Sequence, residues 1–66
     1  MKNNIKVQRA ILNITQAELA ERIGVSRQTI NTTEAGKYIP STVLALKLAK
    51  VFRATVDEIF LLEAND

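Results

Sequence analysis

Apolar residues recur along this chain at three- and four-residue spacings, in short blocks separated by Gly24, Gly36 and Pro40. That period predicts amphipathic helices, and residues able to cap them mark the boundaries. Helix one is expected over residues 4–12, "NIKVQRAIL". Thr15 followed by Glu18 reads as a capping box, so helix two should cover residues 16–23. Gly24 ends it, Ser26 caps again, and helix three runs from residue 27 to about 35, where Gly36 stops it in a left-handed position. Ser41 after Pro40 opens helix four, reaching about Phe52, and Thr55 opens a short fifth helix, "VDEIF". The first four residues and "LLEA" near the end are expected to pair as a small antiparallel ribbon.

Helix two places Leu19 and Ile23 on one stripe with Ala20 beside them. The small Ala20 allows close approach of another helix. Gly24 permits a sharp turn within three residues, and Val25 is expected to plug the corner. Helix three then packs back through Ile30. This is the layout of a helix-turn-helix, residues 16–35, whose second helix enters the DNA major groove.

The stretch "SRQTINTTEAGKY" has only two clear core formers, Ile30 and Ala35. On a helical wheel Thr29, Ile30 and Thr33 share one side, with Glu34 at its edge, while Arg27, Gln28, Asn31 and Thr32 share the other. Those four suit base edges. Arg can fork onto guanine, Gln or Asn onto adenine, and a Thr methyl can meet the thymine methyl. Any surface helix also has a polar face, but the capped helix before it, Ala20 and Gly24 tilt the reading towards DNA. Gln16 and Ser26, at helix N-termini, and Lys37 and Tyr38, just past helix three, are the expected phosphate-positioning residues. The plainer alternatives are a good first-turn residue for Gln16 and a solvated loop charge for Lys37.

Composition narrows the choices. With 66 residues and no Cys or His, neither disulfide nor zinc can supplement a small core, which leaves self-association or tight helix packing. Net charge is only +2, yet it is unevenly placed. Through Arg53 nine Lys and Arg face only Glu18, Glu21 and Glu34, and the remaining acids are Asp57, Glu58, Glu63 and Asp66. Such polarity suits one face towards a polyanion and another towards a partner, or simply a solvated surface with an acidic end. The longest apolar stretch, "VLALKLAKVF", is interrupted by Lys47 and Lys50 and is too short for a bilayer. Met1 to Asn4 lacks the features of a signal peptide, so the expected location is cytoplasmic. One domain, residues 1–66, is expected.

The combined pattern "TQ.ELA...GVS...I...E.GK" resembles the Cro and phage-repressor type of helix-turn-helix domain, the XRE family, across about residues 5–60. The resemblance implies an all-α, five-helix, lambda-repressor-like domain that binds double-stranded DNA as a homodimer and regulates transcription, usually as a repressor. It maps phosphate contact to Gln16 and base reading to Arg27, Gln28, Asn31 and Thr32. It also implies a structural ion pair between Arg9 of helix one and Glu34. Several positions depart from the family pattern. Thr33 stands where an aliphatic or Trp usually faces the core, Thr42 where Leu is frequent, Ala35 where Asn precedes the glycine, and Arg53 where a small turn residue is usual. A buried Thr33 hydroxyl would cost about 1–3 kcal/mol unless a carbonyl, such as the one a turn earlier, accepts it. Ile11 and Leu12 occupy places that are often charged, with Val7 nearby.

A two-fold dimer doubles the contacts one short helix can make and calls for half-sites one turn apart, about 34 Å. Its expected seam is the apolar C-terminal part, with Val56, Leu61 and Leu62 the interface candidates and Ile59 and Phe60 core. Occlusion of a promoter at an inverted repeat is the expected mechanism. No cofactor, metal or small-molecule effector site can be argued, and no membrane contact. The alternative class is an antitoxin-like interaction module that also autoregulates. An enzyme is not expected, because the chain offers no nucleophile and base pair, metal site or phosphate loop.

Overall fold

A computed structural model describes residues 1–66. In chain order the elements are β1 Lys2–Asn3, α1 Ile5–Leu12, α2 Gln16–Ile23, α3 Arg27–Glu34, α4 Thr42–Phe52, α5 Val56–Ile59 and β2 Phe60–Leu61. The helices begin where hydroxyl side chains satisfy free backbone donors. Thr15 Oγ1 accepts from Glu18 N–H at 3.0 Å while Glu18 Oε1 accepts from Thr15 N–H at 3.0 Å, closing a capping box. Ser26 and Ser41 each accept from the N–H three residues on, at 3.1 Å. Ahead of α5, Glu58 Oε1 accepts from both the Thr55 N–H at 2.8 Å and the Thr55 hydroxyl at 2.9 Å. Helix α1 is the exception. It starts at Ile5 rather than Asn4, and the Asn3 side chain, not Asn4, accepts from Ile5 N–H at 3.1 Å. Asn4 instead donates its side-chain amide to the Glu58 carbonyl at 2.8 Å.

Four helices end in one way. A residue one or, for α3, two places past the helix takes a left-handed conformation, and two N–H groups fold back onto the last free carbonyls. At the end of α3, Gly36 N–H reaches the Thr33 carbonyl and Lys37 N–H the Thr32 carbonyl, both at 3.1 Å. Gly24 and Gly36 adopt φ of 72° and 76° without a Cβ to strain. Asn13 and Arg53 do the same work at φ 56° and 52°. For Arg53 that conformation carries a steric cost, because only Gly, and to a lesser degree Asn or Asp, enters it readily.

The core gathers one stripe from each helix. Ile5, Leu19, Ile30, Leu48 and Ile59 are wholly buried, and Ile14, Ala20, Ile23, Leu44, Ala45, Phe52 and Phe60 complete it. Val25 packs against this cluster at the corner between α2 and α3.

Three details differ from the sequence reading. The ribbon pairs Lys2 with Leu61 and Asn3 with Phe60, so Phe60 belongs to β2 and the strand ends before "EA". Phe60 leaves the helix because, at φ −114° and ψ 131°, its ring is buried, while the Ile59 carbonyl accepts from Asn4 N–H at 2.9 Å. Ala35 is exposed rather than core, since α3 closes at Glu34 and Ala35 is its C-cap. Thr33 does take the inward place expected of it, 1% exposed, and its hydroxyl donates to the Thr29 carbonyl at 2.6 Å. The polar atom thus enters the core already bonded one turn back along its own helix.

Candidate nucleic-acid interface

Helix α3 is held from three sides. Ile30 buries beneath it, Asn3 from β1 donates its amide to the Thr33 carbonyl at 3.0 Å, and Arg9 from α1 clasps Glu34. The clasp is two-pronged. Arg9 Nε donates to Glu34 Oε2 at 2.6 Å and Nη2 to Oε1 at 3.1 Å, while Nη1 donates to the Ile14 carbonyl at 3.1 Å. The two side chains are only 14% and 10% exposed, so the pair is poorly screened. The Glu34 carboxylate holds the Arg9 guanidinium still more firmly protonated than usual. Helix α2 is fixed at its far end by Lys47 of α4, whose ammonium donates to the Ile23 carbonyl at 3.2 Å.

The outward side of α3 presents Arg27, Gln28 and Asn31, all exposed. They line a shallow hollow of about 320 Å³. Thr32 is half-buried at its edge. Its hydroxyl proton is committed to the helix backbone, 2.9 Å from the Gln28 carbonyl and 3.2 Å from that of Thr29. What Thr32 has left to offer a base is its methyl and a lone pair.

A second hollow, about 500 Å³, opens between the end of α1, the start of α2 and Arg27, with Gln16 and Asn13 on its wall. Gln16, the first residue of α2, is not free. Its Nε2 donates to Glu34 Oε1 at 3.4 Å and its Oε1 accepts from Asn31 Nδ2 at 3.5 Å. Ser26 is exposed, but its Oγ already accepts from Thr29 N–H and lies 2.9 Å from Thr29 Oγ1. Lys37 and Tyr38 are exposed just past α3. Of the expected seam residues, Leu61 and Leu62 are 49% and 82% exposed, whereas Val56 is half-buried against its own core. Val7 and Ile11 are exposed on α1, at 57% and 69%.

An eight-residue helix that follows a capped helix and a left-handed glycine, anchored on its inner side and offering guanidinium and amides outward, has the layout of the second helix of a helix-turn-helix. The sequence pattern of the helix-turn-helix family matches residues 5–59. The chain belongs to the Cro and phage-repressor type of helix-turn-helix family. It is 50% identical, over the full length of both chains, to an uncharacterized HTH-type transcriptional regulator of Methanocaldococcus jannaschii. It is 30% identical over 59 residues, 89% of this chain and 53% of the other, to the cryptic phage CTXphi transcriptional repressor RstR of Vibrio cholerae. It is 39% identical over 61 residues, 89% of this chain and 30% of the other, to the HTH-type transcriptional activator BcrR of Enterococcus faecalis. The protein is therefore a DNA-binding transcriptional regulator of the helix-turn-helix type. No helix is long and apolar enough to cross a membrane.

Sequence reasoning missed two positioning residues and one lining residue. Asn3 holds the C-terminus of α3, Lys47 caps α2, and Asn13 sits beside Gln16 in the hollow. Only Asn13 had a local signal, its place directly after a helix. The other two reach across the fold to carbonyls that chain order does not bring near.

Proposed function

We propose that this regulator binds an inverted-repeat operator as a homodimer and represses transcription by occlusion. The observation that carries the reading is the outward face of α3, where Arg27, Gln28 and Asn31 are exposed while the one apolar residue of the helix, Ile30, is turned inward. Arg27 and Gln28 read base edges, Asn31 reads with them, and Thr32 offers its methyl to thymine. Gln16 and Ser26 at their helix starts, with Lys37 and Tyr38 beyond α3, position the phosphate strands. In this reading the ion pair of Arg9 and Glu34 is structural and sets the angle of α3.

The dimer is supported by what one protomer lacks. A single face of three or four base-reading side chains gives little discrimination, and a two-fold pair doubles it at half-sites about 34 Å apart. Leu61 and Leu62, exposed at the ribbon and followed by Glu63, supply an apolar seam. Val56 contributes at its exposed edge only. Repression follows from size, because a bound dimer covers a promoter without needing a separate contact region. A cytoplasmic location accords with an intracellular target.

Selection of bound sequences from random duplex DNA, followed by sedimentation of the protein with the selected site, tests this reading. An enriched palindrome bound by two chains supports it. Enrichment of a single half-site bound by one chain would remove the dimer, and activation of a reporter from the selected site would reverse the sign.

A further inference from the structure

We infer that Gln16 sets the amide orientation of Asn31, and so makes that position of the recognition helix an adenine reader rather than a guanine reader. The inference rests on the proposed base-reading role of Asn31. The geometry is a chain of four side chains drawn from three helices: Arg9, Glu34, Gln16 and Asn31.

Its direction is fixed at one end. Glu34 is a carboxylate clasped by Arg9, so it only accepts. The part of Gln16 that faces it at 3.4 Å is therefore the NH₂ group. That leaves Gln16 Oε1 facing Asn31 at 3.5 Å, and an acceptor there requires Asn31 to turn its own NH₂ inward. Both bonds are long and individually weak. Their polarity decides the matter, because reversing either amide sets oxygen against oxygen.

With one N–H given to Gln16, Asn31 has one N–H and its Oδ1 left to face the groove. A donor beside an acceptor matches adenine, whose N7 accepts and whose N6 amino group donates. Guanine presents two acceptors, N7 and O6, and would set O6 against Oδ1. Gln16 retains a second N–H for a phosphate oxygen, so orienting Asn31 does not conflict with positioning the strand.

The test compares affinities for the selected operator with adenine or guanine at the base pair that loses its preference in Asn31→Ala. For the wild type adenine should be favoured at least about 5-fold there. In Gln16→Ala the Asn31 amide is free to turn, and the ratio should fall to about twofold or less, beyond any uniform loss from the missing phosphate contact. Gln16→Lys is the sharper variant. Lysine only donates, so it satisfies Glu34 and phosphate but draws Asn31 Oδ1 inward, leaving two donors outward, and the preference should move towards guanine. Circular dichroism melts show that each variant is folded at the binding temperature. An unchanged adenine-to-guanine ratio in both Gln16 variants overturns the inference while leaving Asn31 a base reader. If Asn31→Ala alters preference at no base pair, the base-reading role fails and the inference falls with it.

Discussion

Arg9→Ala is the substitution whose cost the structure specifies best. It removes both prongs of the clasp on Glu34, at 2.6 and 3.1 Å, and the bond to the Ile14 carbonyl at 3.1 Å. Glu34 would keep only the 3.4 Å contact with Gln16, its side chain being 10% exposed. A carboxylate left that poorly paired costs about 3 kcal/mol, against less than about 1 kcal/mol for an exposed ion pair. At about 0.05–0.15 kcal/mol per residue a chain of this size holds roughly 3–10 kcal/mol in all, so the loss is a large share. The melting temperature should fall by about 12–24 °C, taking ~4–8 °C per kcal/mol for a small domain. Glu34→Ala should cost about as much, and the double variant should recover part of the loss, because neither charge is then stranded. Urea titrations of the four proteins give this cycle directly. A cost below about 1 kcal/mol for Arg9→Ala, or strict additivity in the double variant, would refute the view that this clasp anchors α3.

The other expectations are narrower. Arg53→Gly should raise stability by roughly 0.5–1 kcal/mol, because Arg53 stands at φ 52° on an exposed corner where glycine is unstrained; an unchanged melting temperature would show no strain there. Arg27→Ala or Gln28→Ala should each cost about 1–3 kcal/mol on the specific operator and relax base preference, whereas equal losses on random duplex would remove the base-reading role. Lys37→Ala should weaken all sequences alike and reduce the slope of log affinity against log salt by about 1 per protomer, measured by fluorescence anisotropy across a salt series. Glu18 and Glu58 are held below the usual carboxylate range by the backbone N–H and then the hydroxyl of Thr15 and Thr55. Because the folded state lowers these two values, their contribution is present above the ordinary carboxylate range and is lost as the pH falls through the folded values. Melts from pH 6 towards 3 should therefore lose stability, and Glu18→Gln with Glu58→Gln should flatten that slope.

Helix starts were the most legible part of the fold. Thr15, Ser26 and Ser41 announce α2 to α4, because a capping hydroxyl acts on donors two or three residues away, and Thr55 announces α5 through its local pairing with Glu58. Gly24 and Gly36 marked two helix ends for an equally local reason. Asn13 and Arg53 end helices in the same conformation at exposed corners, and of the two only Asn13 is a residue type that enters it readily. The ribbon was placed one residue late because Phe60 chooses between helix and strand by where its ring is buried.

The candidate site divides along the same line. That Arg27, Gln28, Asn31 and Thr32 lie on one side of a helix follows from 100° per residue and needs no tertiary structure. The wheel does not show that Thr32 has spent its hydroxyl on the Gln28 carbonyl, or that Gln16 stands between Glu34 and Asn31. Periodicity, caps and left-handed glycines are properties of a few consecutive residues, so the chain alone determined the helices and which face of α3 is polar. Bond partners that lie 15 to 31 residues apart, such as Asn31 with Gln16 and Asn3 with Glu34, depend on how the helices cross, and only the packed fold decided them.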